Sequence, residues 1–164
     1  MNALEAEDRA VCLLALQTGY RIDDILKLMK ENITETGDIS CKEAKTGKTR
    51  NHVSDDQTKQ VIKNLLEIVE KRKGNTSYLI PTRRGRAGDK PTLSRWSIWR
   101  AFKRAVGAAG LTGRGYTVHS LRKCYAWNLY KKTRSIPAVQ RDLNHDRPDT
   151  TFIYLQQAFE AAIR

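Results

Sequence analysis

Residues 143–155 read LNHDRPDTTFIYL, with His145 and Tyr154 nine positions apart. How Tyr154 is read decides the fold. With Phe152, Ile153 and Leu155 around it, the ring suits a helical core, its hydroxyl meeting a polar partner at the core's edge. A reactive hydroxyl would instead need cations and acid–base groups from distant parts of the chain, and the fold would have to gather them. The stretch alone leaves both readings open, and only residues elsewhere can separate them.

The chain has 164 residues, enough for one domain with its own core. It is 40% hydrophobic with only 4 prolines, and it carries no polar or repetitive tract of the kind that stays disordered. Its 30 Lys and Arg against 18 Asp and Glu leave a net charge of +12. A cationic excess on this scale fits a polyanionic partner, with nucleic acid ahead of an anionic membrane. No segment reaches the ~18 apolar residues of a membrane-spanning helix, and MNALEAED is too acidic for a signal peptide. A cytoplasmic, nucleoid-associated protein is the expectation. Cys12, Cys41 and Cys124 are widely spaced, with no CxxC and no His at ligand spacing, so neither a disulfide framework nor a metal site is expected.

Upstream of the opening stretch, the pattern predicts helices around one small sheet. A helix over Leu4 to Gln17 stops at Gly19, and a second opens near Asp23 and runs through Met29, leaving TGYR as the corner between them. From Asn32 to Ser54, short alternating segments broken by Gly37 and Gly47 predict a three-stranded antiparallel meander with AKTGK in its second turn. Ser54 and Gln57 read as a capping box for a helix with Val61, Ile62, Leu65, Leu66 and Val69 on one face, ending near Gly74. Residues 81–91, PTRRGRAGDKP, form a basic surface loop, either a solvated connection or a phosphate-contacting arm.

A helix over Thr92 to Ala109 places Trp96, Trp99, Phe102 and Val106 on a core face, with Arg95, Arg100, Lys103 and Arg104 off it. Another begins at Val118 or His119, Pro137 sits in the first turn of the next, and Asp149 caps a last short helix bearing Tyr154. No internal repeat or linker divides the chain.

Polar residues collect at the junctions of these elements: Arg21 at the TGYR corner, Lys45 in a β-turn, His119 and Arg122 one helical turn apart, His145 at a helix end, and Tyr154. Together they resemble the catalytic domain of the tyrosine recombinase, or phage integrase, family. TGYRIDDIL is similar to its first box, with Asp24 three positions after Arg21; EAKTGKTR to the turn holding its lysine; HSLR to its His-x-x-Arg box; and LNH with Tyr nine residues on to its last box. The order is the family's, and the resemblance covers essentially the whole chain.

The resemblance implies an α+β, mainly helical fold, helices packed around a small three-stranded antiparallel sheet. It implies one catalytic domain over 1–164, without the N-terminal core-binding and arm-binding domains that such proteins usually carry. It also implies site-specific DNA recombination without metal or cofactor. Tyr154 would attack a backbone phosphate to give a 3′-phosphotyrosyl link. Arg21 and Arg122 would clamp the phosphate, Lys45 would protonate the leaving 5′-oxygen, His119 would act as acid and base, and His145 would hydrogen-bond the phosphate. Lys48, three residues on, is the competing lysine; Lys45 is preferred because it precedes Thr-Gly as the family's does.

The expected partner is double-stranded DNA, with a homotetrameric synapse forming on it from a chain that can be monomeric in solution. Two positions depart from the common pattern: Lys123, where many relatives carry His, and Asn144, where Gly is common. The rival readings are a type IB topoisomerase and a non-catalytic DNA-binding regulator derived from an integrase.

Overall fold

The computed structural model describes residues 4–71, 76–82 and 92–162. Along the chain run α1 (Ala6–Thr18), α2 (Ile22–Leu26), β1 (Ile39–Lys42), β2 (Thr49–His52), α3 (Asp56–Glu70), α4 (Arg95–Ala108), α5 (Val118–Thr133), α6 (Ile136–Asp142) and α7 (Pro148–Ala162). The apolar residues of α1 are almost continuous, and Ala10, Val11, Leu14 and Ala15 are all buried. That suits a helix surrounded on several sides, and α1 packs against α2, α3, α4 and α5.

Two apolar clusters result. The larger gathers Leu14, Ile25, Leu28, Ile39, Ile62, Leu65, Leu79, Ile80 and Ile98 around α1. The smaller joins Ala126 of α5, Val139 and Leu143 at α6, and Leu155 of α7. At about 1.5–3 kcal/mol per fully buried aliphatic side chain, the first cluster fixes the body of the fold. The second holds α7 by less apolar surface, and Phe152, Ile153 and Phe159 of that helix stay exposed. Among the described residues no helix is long and apolar enough to cross a membrane.

Among the described residues the sheet has two strands, not the three expected. β1 and β2 pair antiparallel with Ile39 opposite His52 and Lys42 opposite Thr49. Where the first strand was expected, Lys30–Asn32 form a 3₁₀ turn and Ile33 makes a single bridge to Ile39. Local bonds take the polar groups a ladder would use: Thr34 N donates to Asp38 O at 2.9 Å, and Asp38 N to the Thr34 hydroxyl at 3.0 Å. Short polar side chains competing with the ladder in this way disfavour a strand.

Other expectations shift at their edges. The cap of α3 is Asp55, whose carboxylate accepts from Thr58 N at 2.8 Å, while Ser54 N donates to Asp38. The helix ends at Glu70 rather than near Gly74. On α4 the buried positions are Ile98 and Ala101, so the face runs about one residue off the aromatic one. Trp96 and Trp99 stack on each other with centroids 4.4 Å apart, Trp96 remaining exposed. The last helix is not short, since α7 spans 15 residues from Pro148. Of the basic loop, residues 83–91 lie outside the described residues.

Candidate active site

The site is built on two corners of the chain, each tied by buried arginines. At the first, α1 ends in a left-handed cap at Gly19 (φ 66°). Glycine is required there twice over, by that φ and because a Cβ would lie 2.3 Å from the Tyr125 ring. At the second, α6 closes with Asn144 N donating to Arg141 O and His145 N to Gln140 O, both at 3.1 Å, a Schellman arrangement. Asn144 occupies the left-handed position with φ 52°. Asparagine tolerates that region better than most side chains, so the exchange for glycine is conservative in backbone terms.

Arg122 of α5 is only 2% exposed and spans both corners. It donates from Nη1 to the Gly19 carbonyl and from Nη2 to the Leu143 carbonyl, the latter at 2.8 Å. Arg50 of β2, also buried, repeats the tie one residue earlier on each side. Its Nη2 donates to Thr18 O at 2.5 Å and to the Asp142 carboxylate at 2.9 Å, and its guanidinium lies over the Tyr20 ring at 4.3 Å. Burial, with the neighbouring cations Arg21 and Arg50, pushes Arg122 down to about 10, leaving it charged at neutral pH. Its Nε has no hydrogen-bond partner among the described residues.

Arg21 is the N-cap residue of α2, directly after the Gly19 corner. Its Nη1 is 2.9 Å from the Glu43 carboxylate and 3.9 Å from that of Asp24. Glu43, itself buried, also accepts from the Thr46 hydroxyl at 2.9 Å, and Asp24 accepts from Ala44 N at 2.8 Å. Two carboxylates behind Arg21 thus anchor the 43–47 turn to the first corner. Lys45 stands exposed at the tip of that turn. Lys48 pairs with Asp146, next to His145. The two lysines are therefore in different situations: one is tied across the site's edge, and Lys45 has no hydrogen bond or ion pair among the described residues.

The aromatic end of the site comes from α5 and α7. The Tyr154 ring meets the imidazoles of His119 and His145 edge-on, each with centroids 5.2 Å apart, and its hydroxyl touches His119 Nε2. Burial raises the Tyr154 phenol above its usual value, partly offset by Arg122 and Arg21. Both histidines are pushed down to about 4, by loss of water first and then by the cations, Arg122 foremost. His119 is exposed as a residue, but its ring lies against Tyr154. A neutral imidazole in contact with a neutral phenol can accept its proton, and the guanidiniums nearby favour the phenolate or a phosphate oxyanion. Lys123, the other departure from the common pattern, places its Nζ 6.0 Å from the Tyr154 ring centroid.

The structure thus brings Arg21, His119, Arg122, His145 and Tyr154 to one place and leaves Lys45 on a turn at its rim. Sequence reasoning missed Glu43, Arg50, Asp142 and Thr151. Glu43 and Arg50 lie inside the EAKTGKTR stretch, but nothing in spacing marks a charged residue as buried. Among the described residues no group of three His, Cys, Asp or Glu side chains could hold a metal ion.

The phage integrase family matches residues 1–161. A Bacillus subtilis (strain 168) protein described as a probable integrase/recombinase, YoeC, is 32% identical over 148 residues, covering 90% of this chain and 76% of that protein. Tyrosine recombinase XerD of Corynebacterium glutamicum is 28% identical over 153 residues, covering 92% of this chain and 48% of XerD. Among solved structures, the XerH site-specific recombinase in its pre-cleavage complex with difH substrate matches with a TM-score of 0.76 and 25% identity, covering 99% of this chain and 47% of XerH. The lambda integrase catalytic core matches with a TM-score of 0.67 and 26% identity, covering 86% and 81%. The chain spans about half the length of XerD and XerH. By its sequence over nearly its whole length, and by a fold shared with these enzymes, the chain belongs to the phage integrase family of tyrosine-type DNA recombinases.

Proposed function

We propose that residues 1–164 form the catalytic domain of a site-specific recombinase that breaks and rejoins DNA through Tyr154. The observation that carries this reading is the seating of the Tyr154 hydroxyl against His119, beside the buried Arg122, within one chain. Tyr154 gives its proton to His119 as its oxygen bonds to a backbone phosphorus. The bond from phosphorus to the 5′-oxygen breaks, and that oxygen takes a proton from Lys45. Arg21 and Arg122 neutralise the charge growing on the non-bridging oxygens, an effect worth about 2.7–4 kcal/mol for a preorganised donor, and His145 adds a hydrogen bond. The ester keeps the bond energy, so a 5′-hydroxyl from another strand reverses the step. No redox or metal chemistry is needed.

DNA as the partner is supported by the +12 net charge and by the substrate complex of the XerH relative. The domain works in the cytoplasm, assembles as a homotetramer on DNA, and delivers Tyr154 within its own subunit. The deciding experiment incubates the protein with nicked duplexes carrying its recombination site and resolves covalent adducts on denaturing gels. Wild type and Tyr130→Phe should form the adduct and Tyr154→Phe should not; an adduct in Tyr154→Phe refutes the nucleophile. Relaxation of supercoiled plasmid without strand exchange would move the reading to a type IB topoisomerase, and DNA binding without adduct to a regulator.

A further inference from the structure

The geometry points to Thr151 as a positioning residue that couples the docking of α7 to the orientation and proton placement of the His145 ring. The inference rests on the reading of His145 as a phosphate-binding group. Thr151 is 0% exposed and lies one helical turn before Tyr154, on the same face. Its hydroxyl is 3.0 Å from His145 Nδ1. The other ring nitrogen, Nε2, is 3.5 Å from Arg122 Nη2. A guanidinium can only donate, so Nε2 presents its lone pair to Arg122. The proton of the neutral ring then sits on Nδ1 and is donated to Thr151 Oγ1.

The backbone of His145 has different anchors. Its N–H donates to Gln140 O at 3.1 Å, and its carbonyl accepts from Gln140 Nε2 at 3.2 Å. The backbone of His145 is thus fixed by α6, and its ring by α7 and Arg122. When α7 leaves, the ring loses its Nδ1 partner together with the nucleophile, so the orientation of the His145 ring is held only when Tyr154 is in place.

A hydroxyl suits this post because it both donates and accepts. To donate to a phosphate oxygen, His145 must carry its proton on Nε2. The ring then releases the Nδ1 proton to water and takes one at Nε2, its charge unchanged, while the Thr151 hydroxyl turns to donate to Nδ1. Serine can make the same reversal. Valine, of nearly the same shape, can make neither bond.

The test begins with the free protein. The chain has three histidines, so their ring nitrogens can be assigned in ¹⁵N spectra with single His→Gln variants. Wild type and Thr151→Ser should show His145 protonated at Nδ1, and Thr151→Val should show the Nε2 form growing. In single-turnover cleavage the Nε2-protonated ring that meets phosphate has no donor at Nδ1 in Thr151→Val, which should slow adduct formation roughly tenfold, the loss of one hydrogen bond, at unchanged DNA affinity, with Thr151→Ser close to wild type. In a His145→Ala background, Thr151→Val should change the rate by less than about twofold. An unchanged His145 spectrum in Thr151→Val, or the full tenfold loss persisting without His145, overturns the inference. If no variant forms an adduct, the proposed function fails, while the ring spectrum still decides the role of Thr151.

Discussion

Arg122, in the first turns of α5, donates to the main-chain carbonyl of Gly19, 103 residues earlier in the chain. Through this bond the His-x-x-Arg box is fastened to the backbone of the corner that carries Arg21. The same side chain reaches the Leu143 carbonyl at 2.8 Å, two residues before His145. One guanidinium therefore sets the distance between two segments of the site, and Arg50 backs it from the adjacent residues Thr18 and Asp142.

Arg122→Met should destabilise the fold by about 2 kcal/mol, because two buried carbonyls lose their donor, an effect partly offset by removal of a buried charge. It should also slow adduct formation by ~10²–10³. Arg122→Lys should recover the charge but not the two-point reach, leaving most of the rate loss. Arg50→Met should lower stability by about 1–2 kcal/mol, since the Thr18 carbonyl loses its donor while Asp142 keeps part of its access to water, and it should slow cleavage less than Arg122→Met. Urea unfolding midpoints and single-turnover rates separate the two quantities.

Lys45 and Lys48 should separate cleanly. Lys45→Ala should block cleavage of an ordinary duplex and be rescued by a substrate whose leaving 5′-oxygen is replaced by sulfur, which departs without a proton. Lys48→Ala, which breaks only an exposed pair with Asp146, should cleave both substrates. Rescue of Lys48→Ala rather than Lys45→Ala would exchange their roles.

Gly19→Ala should destabilise by at least ~1–2 kcal/mol, the cost of the left-handed φ alone, and more because the new Cβ meets Tyr125 Cδ1 at 2.3 Å. Measured against Tyr125→Ala rather than wild type, Gly19→Ala should cost only the φ part. A double variant as stable as Tyr125→Ala alone would mean that backbone strain contributes nothing.

Stability should fall as the pH drops from about 6.5 toward 4. His119 and His145 are held near 4 in the folded chain, and His52 is lowered by its burial, against about 6.5 for an unfolded histidine. As acid is added the unfolded chain takes up protons first, so the contribution is complete above the unfolded value and lost toward the folded one. Asp24, raised by burial, opposes this trend, while Asp38, Asp55 and Asp146, held low by their hydrogen bonds, reinforce it at the acid end. Urea titrations at stepped pH give the slope; a midpoint that does not move across this window contradicts the neutral histidines.

Of the helices, α3 appears where the spacing of Val61, Ile62, Leu65, Leu66 and Val69 puts it, while α1 was legible from its stop at Gly19 and α5 from its start after the glycine-punctuated GLTGRGYT. The third strand was not, because Thr34, Thr36 and Asp38 bond to one another and to their own backbone, a competition that alternation does not reveal. The aromatic face of α4 misled for a related reason. Trp96 and Trp99 satisfy each other by stacking, and Ile98 takes the core position.

The order and chemical types of the six candidate site residues, and the helical punctuation that places them at corners, were readable along the chain, since residue type, capping and periodicity are local properties. It took the folded chain to show that Arg122 and Arg50 are buried ties, that Glu43 stands behind Arg21, that Lys48 is paired while Lys45 stands exposed at the rim, and that Tyr154 sits in its own chain's cluster between two imidazoles. Burial and partnership depend on residues up to 103 positions apart. No local pattern encodes which charge will face water and which will meet a carbonyl.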